Sequence, residues 1–440
     1  MTLRWIPAEL HTHTFHSDGS QSLQELAQSA KQAGIEVIAL TDHNTQSGLV
    51  DRDVVEHDIG LRIIAGMEWT TFYGHMVTLG LQQYVDWRQV GQGDIEQGIR
   101  HVHEAGGIAG IAHPFRIGSP ICTGCYWEYP IHNWSQVDYI EVWSTLMPFM
   151  KQDSQRAFAL WTALLNEGHR LAATSGRDWH RTLPDDAPAA ITYIGLGSVT
   201  EEHSQYGSAP GKSKVGSEQL HAHERLNETE QQHTTNEQHA NDSDLDSVSV
   251  ADDPHRTDNA AAIDNPHSIT YSASLHRVQD RQYIAAIRSG RLTVTMGPVL
   301  DLYAVVHNQA VDQQEDGAGL ENIHTSSSLS QLDGSERTIY RIGDTIVGAN
   351  AQLQLHIRLD RRLRHTQYKL AAQKLRLVIM SDQGVLAETK LDSEQQWQEW
   401  TVRIAAPARW LRAELYGCFG DVYGMIAFTN AIYIQAGSAD

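Results

Sequence analysis

Cysteine and basic charge are both scarce in this 440-residue chain, and it has no long apolar run. The three cysteines, Cys122, Cys125 and Cys418, are too few for a disulfide framework and fit a reducing compartment. Lysine and arginine total 33 against 54 acids, a formal net charge of −21. A surface of that sign repels a phosphate backbone, which excludes long nucleic acid as a broad partner. No apolar stretch reaches the ~18 residues that a membrane-spanning helix needs, so no membrane partner is expected. The N-terminal MTLRWIPAELHTHTF carries no apolar signal core, and the expected location is the cytoplasm. An acidic chain can still take a small anion where metals or local arginines supply positive charge.

The first 200 residues alternate short apolar runs with helical patterns. EVIAL (36–40), LRIIAG (61–66), HMVTLG (75–80), GGIAGIAH (106–113), VDYIEVW (137–143), RLAATSG (170–176) and AITYIGLG (190–197) read as buried strands. Helical segments are expected near 22–34, 94–105 and 151–168. Such alternation predicts an α/β domain with mainly parallel strands, and seven or so in succession suit a barrel. Residues 201–267 form an acidic insertion with no tryptophan or phenylalanine, expected to be disordered. A helix-strand segment at 268–298 would complete or link the barrel. Residues 299–440 then alternate apolar and polar, as in QLQLHIRLD (352–360), and predict a small antiparallel β-sandwich-like domain with a flexible loop near 308–336.

What is abundant is histidine, at 24 residues, and it gathers where the strands end. ELHTHTFHSDGS (9–20) sets His11 and His13 two apart, so that on an extended strand both rings share one face and can share one metal. Asp18 follows in a polar turn. Strand 36–40 leads into Asp42 and His43, strand 61–66 into Glu68 and His75, strand 107–112 into His113, and strand 171–175 into Asp178 and His180. In a parallel barrel those ends converge on one mouth. Imidazole with carboxylate suits zinc, manganese or iron. Asp42 is a candidate for orienting a ligand histidine. Arg116 and Arg177 are candidates for holding a substrate anion. Glu141 could lie near the mouth or pair locally in the core. Cys122 and Cys125 form CTGC, where a zinc site would need two further ligands and two free thiols is the simpler reading.

An HxH motif, then TDH, a glutamate, AHP and a late DxH, in that order over residues 9–180, resembles the PHP (polymerase and histidinol phosphatase) family. The resemblance implies a distorted (β/α)7 barrel holding two to three divalent metal ions. By motif, His11, His13, Glu68 and Asp178 would hold the first ion. Glu68, His75 and His113 would hold the second, and Asp18, His43 and His180 the third. SGRLTVTMGP (289–298) and FTNAIYI (428–434) resemble the CehA/McbA branch, in which a β domain follows the barrel. The late motif departs from the family pattern in its bulky Arg177 and Trp179.

The expected function is a metal-dependent phosphoesterase that hydrolyses a small, anionic phosphate mono- or diester by attack of a metal-bound hydroxide. His43, Asp178 and His180 are the candidate catalytic groups. One alternative is hydrolysis of carboxylic or carbamic esters or amides, favoured if Trp69, Phe72, Tyr73, Trp127 and Trp143 line a dry pocket. Another is a non-catalytic metal-binding module. The sequence does not set the oligomeric state.

Overall fold

The computed structural model describes residues 3–118, 124–183, 189–197, 280–307, 320–322, 337–348, 353–360, 373–392, 397–404 and 408–435. The first eight strands are β1 (Arg4–Thr12), β2 (Val37–Leu40), β3 (Arg62–Thr71), β4 (Gly74–Leu79), β5 (Ile108–Ile111), β6 (Tyr139–Ser144), β7 (Ala172–Gly176) and β8 (Ile191–Leu196). Helices α1 (Leu23–Gln32), α2 (Arg52–Ile59), α3 (Ile95–Glu104) and α4 (Gln152–Asn166) lie between them. α1 starts at a capping box, in which Ser22 and Glu25 each accept the other's backbone N–H. Its Leu23, Leu26, Ala27 and Ala30 are buried at helical spacing.

Strand direction shapes the site. β1, β2 and β3 pair in parallel, as do β5, β6 and β7, but β4 runs against both β3 and β5. Only Phe72 and Tyr73 separate β3 from β4. Two residues close a hairpin but cannot carry a parallel crossover. Among these seven strands, β4 alone therefore begins where the others end.

A closed barrel was the expectation, but no ladder joins β7 to β1 among the described residues. β8 occupies the second edge of β1 from Arg4 to Ala8, antiparallel. Only the end of β1 is left for the chain beyond β7, and there a single bridge links Thr12 to Trp179.

The C-terminal half adds β9 (Leu292–Thr295), β10 (Val299–His307), β11 (Leu320–Asn322), β12 (Arg337–Arg341), β13 (Thr345–Val347) and β14 (Leu353–Asp360). After these come β15 (Lys374–Ser381), β16 (Gly384–Asp392), β17 (Trp397–Ile404), β18 (Trp410–Phe419), β19 (Val422–Thr429) and β20 (Ile432–Gln435). β9 pairs with β8 and with β19, so the first sheet continues through β18, β20 and β13, with β15 and β16 branching from β18. A second sheet has the order β11-β17-β14-β10-β12. β14 alternates buried and half-buried residues, as a strand covered on one face must. Its Leu355 and Ile357 share a core with Leu377 of β15 and Leu415 of β18. Met1–Ser198 and His267–Asp440 form one compact unit.

Residues 280–289 are helical, inside the helix-strand segment expected at 268–298. Ile284 and Ile287 join Ile6, Ile64, Leu79 and Ala172 in one buried cluster. Asp280 accepts from Arg52 at 3.0 Å and from Arg62 at 2.7 Å, and Arg288 donates to Asp138 at 2.8 Å. The expected acidic insertion, and the loop near 308–336 apart from β11, lie outside the described residues.

Packing between β5 and β6 requires glycine. A Cβ on Gly110 would fall 2.1 Å from the ring of Tyr139, whose hydroxyl donates to the Val77 carbonyl. Gly110→Ala is expected to destabilise the protein by ~1–3 kcal/mol through overpacking. A lower urea midpoint at unchanged m-value would show it.

Candidate metal centre

At the shared end of the strands, Glu68 is the pivot. It lies on β3 with no exposed surface, and imidazole nitrogens surround it. His75 Nδ1 and His113 Nε2 lie 2.9 and 3.3 Å from Oε1. His43 Nδ1, His11 Nε2 and His13 Nε2 lie 2.9, 3.2 and 3.4 Å from Oε2. His75 reaches this end because β4 is reversed; on a parallel strand its position would lie at the far edge.

Three donor groups result, sharing residues. One is His11, His13, Glu68 and Asp178; one is Glu68, His75 and His113; one is Asp18, His43 and His180, with His13 beside them. In the first, His11 Nε2 and Asp178 Oδ1 are 3.3 Å apart, and His13 Nε2 and Asp178 Oδ1 are 3.0 Å apart. Four ligands placed tetrahedrally at ~2.0–2.1 Å from a zinc-sized ion stand ~3.3 Å from one another. The donors are thus spaced as a bound ion would space them. His11 Nε2 and Glu68 Oε2 are also buried without a hydrogen bond, although they face each other. Buried polar atoms left so are costly unless a further partner sits between them. The donor set fits a divalent cation.

Burial alone would raise the Glu68 carboxyl, but the imidazoles of His11, His113 and His43 hold it well below the ordinary carboxylate range. Burial would likewise depress His11, and Glu68, Glu141 and Asp178 instead hold it well above the ordinary histidine value. Two donors also carry left-handed backbone: φ is 28° at His113 and 54° at Asp178. That strain is typical of residues held in place by a functional site.

The centre is buried on one side and open on the other. The side chains of Asp18, His180 and His43 are 59, 31 and 21% exposed, whereas those of His11, His13 and Glu68 are fully covered. Access is therefore through the Asp18 group. His180 Nε2 and His43 Nε2 lie 3.0 and 3.3 Å from Asp18 Oδ1.

Arg116 joins the cluster, donating to Asp178 and to Ser144 Oγ. Arg177 does not: its guanidinium lies 4.0 Å over the Trp179 ring. Trp179 is itself buried, in a cluster with Leu23 and Tyr193. Asp42 orients a turn rather than a histidine. It accepts from Thr14 N, Thr14 Oγ1 and Ser17 Oγ, each at 2.7 Å, and so fixes the chain that carries Asp18. Cys125 is buried and disulfide-bonded, which corrects its reading as a free thiol; Cys122 lies outside the described residues.

The sequence left Glu141 undecided and did not single out Glu9. Glu141 Oε2 lies 2.7 Å from His11 Nδ1, and Glu9 Oε1 accepts from the backbone N–H of His11 at 3.0 Å and of Arg177 at 2.9 Å. Period-two alternation from His11 back to Glu9 was the available signal.

Residues 9–92 match the PHP domain family. An uncharacterized protein of Methanocaldococcus jannaschii is 33% identical over 129 residues, 27% of this chain and 71% of that protein. A phosphoribosyl 1,2-cyclic phosphate 1,2-diphosphodiesterase of Eggerthella lenta is 28% identical over 81 residues, 17% of this chain and 31% of that enzyme. A two-domain crystal structure from Bacteroides vulgatus, containing a predicted PHP-like metal-dependent phosphoesterase, aligns over 98% of this chain and 96% of its own. Its sequence identity is 10% and its TM-score 0.43. The chain belongs to the PHP-domain family. Among the described residues, no helix is long and apolar enough to cross a membrane.

Proposed function

We propose that this protein is a metal-dependent phosphoesterase acting on a small phosphate mono- or diester, with two to three divalent ions of zinc, manganese or iron. The observation that carries the reading is one fully buried carboxylate, Glu68, with five imidazole nitrogens within 3.4 Å. His11, His13, Glu68 and Asp178 would hold one ion, Glu68, His75 and His113 a second, and Asp18, His43 and His180 a third. When bound, such ions lower the pKa of water toward ~7 and offset the charge of a phosphate.

The chain's own residues do the rest. Asp42 holds the turn that brings Asp18 to the entrance. Arg116 braces Asp178 and brings fixed positive charge to the mouth of an otherwise acidic protein. Where no third ion is bound, His43 and His180, on the open side, are placed to protonate a leaving alkoxide. The β-rich C-terminal half and the two-residue tip between β3 and β4 are the features this chain would share with the CehA/McbA branch.

The diphosphodiesterase relative supports a phosphoester over a carboxylic or carbamic ester. So do two of the five aromatic side chains. Trp69 packs against α3 at Gly98, and Trp143 against Phe428, so neither lines the mouth. A substrate panel tests the proposal. The manganese- or zinc-loaded protein is expected to turn over bis-p-nitrophenyl phosphate or a phosphate monoester, and to leave aryl carbamates intact. Turnover of carbamates alone would overturn it.

A further inference from the structure

Two buried carboxylates, Glu9 and Glu141, sit beside the donor groups without belonging to one. Both converge on His11. Glu141, on β6, reaches the Nδ1 of that ring, the nitrogen turned away from Glu68 and Asp178. Gly176, the last residue of β7, makes the approach feasible. A Cβ there would fall 2.2 Å from Glu141 Oε2 and 2.7 Å from His11 Cβ. Glu9 fixes the backbone under the same ring: it ties His11 N–H to Arg177 N–H just where β1 and β7 lack a ladder.

We propose that Glu141 is a positioning residue for metal capture, accepting the Nδ1 proton of His11 so that the Nε2 lone pair faces the ion held with Glu68 and Asp178. The proposal rests on the metal-centre reading above. A neutral imidazole carries one proton on either of two nitrogens, and only the tautomer protonated at Nδ1 can ligate through Nε2. His11 is fully covered, so the carboxylate takes the part that water would play at an exposed site. A carboxylate in that place fixes the ring orientation and raises the basicity of the ligating nitrogen.

The test uses the full-length chain with Glu141→Ala and Glu141→Gln. Metal content by elemental analysis, cobalt(II) titration followed by visible absorption, and thermal melting of the metal-free forms are measured together. Glu141→Ala is expected to lower affinity ~10–100-fold for one ion while another keeps wild-type affinity. Glu141→Gln, whose amide oxygen can still accept from Nδ1, should retain most of that affinity. Glu141→Ala binding every ion as tightly as wild type would overturn the proposal and leave the metal centre standing. Equal weakening of all ions in both variants, together with a lowered metal-free melting temperature, would show a merely structural role and also overturn it. A wild-type protein that takes up no ion overturns both readings.

Discussion

Glu68→Gln should strip the centre of its ions and lower bis-p-nitrophenyl phosphate turnover by ~10³-fold or more. The three donor groups are not independent. Oε1 of Glu68 faces His75 and His113, while Oε2 faces His11, His13 and His43. Glutamine keeps the shape but replaces one oxygen by an NH2 that points protons at the place of a cation. It also removes the negative charge that offsets any ions held there. Metal ions contribute several kcal/mol to transition-state charge stabilisation, and ~1.4 kcal/mol is tenfold in rate. Elemental analysis should find less than one ion per chain in the variant. A variant with full metal content and full turnover would remove Glu68 from the centre.

Chelation should have an effect of similar size on activity and an added one on stability. An ion that binds the folded chain alone stabilises it by ~2.7 kcal/mol at a free concentration 100 times its dissociation constant. Treatment with a strong chelator is expected to abolish turnover and lower the melting temperature. Zinc or manganese should restore both. A chelated protein that keeps both its activity and its melting temperature would show that the histidine cluster is only a polar core.

The donor residues were legible because their pattern is local: HxH, TDH and DxH each place two groups at one strand end. Their convergence was legible only in outline. The sequence places His75 at the start of a strand, and that is at odds with a mouth built from strand ends. The two-residue gap at Phe72 and Tyr73 already forces the hairpin that resolves the conflict. Arg177 and Trp179 alternate with Asp178 and His180, and residues two apart on an extended chain share a face. Arg177 accordingly stacks on Trp179, whereas Asp178 and His180 both reach the donor groups. Glu141 was ambiguous because a carboxylate inside an apolar strand looks the same whether it pairs locally or reaches across the sheet to residue 11. The continuity of the first sheet into the C-terminal half depends on β9 pairing with β19, more than a hundred residues away, and no local pattern encodes that.

The chain leaves the first half after Leu196, opposite Arg4, and is back by Asp280, held at Arg62. Both points lie where β1 and β3 begin, whereas the donor residues lie where those strands end. Whatever occupies the interval is attached at the pole remote from the chemistry. That interval is a natural port for grafting, because both of its flanking anchors lie at the opposite end of the strands from Asp18.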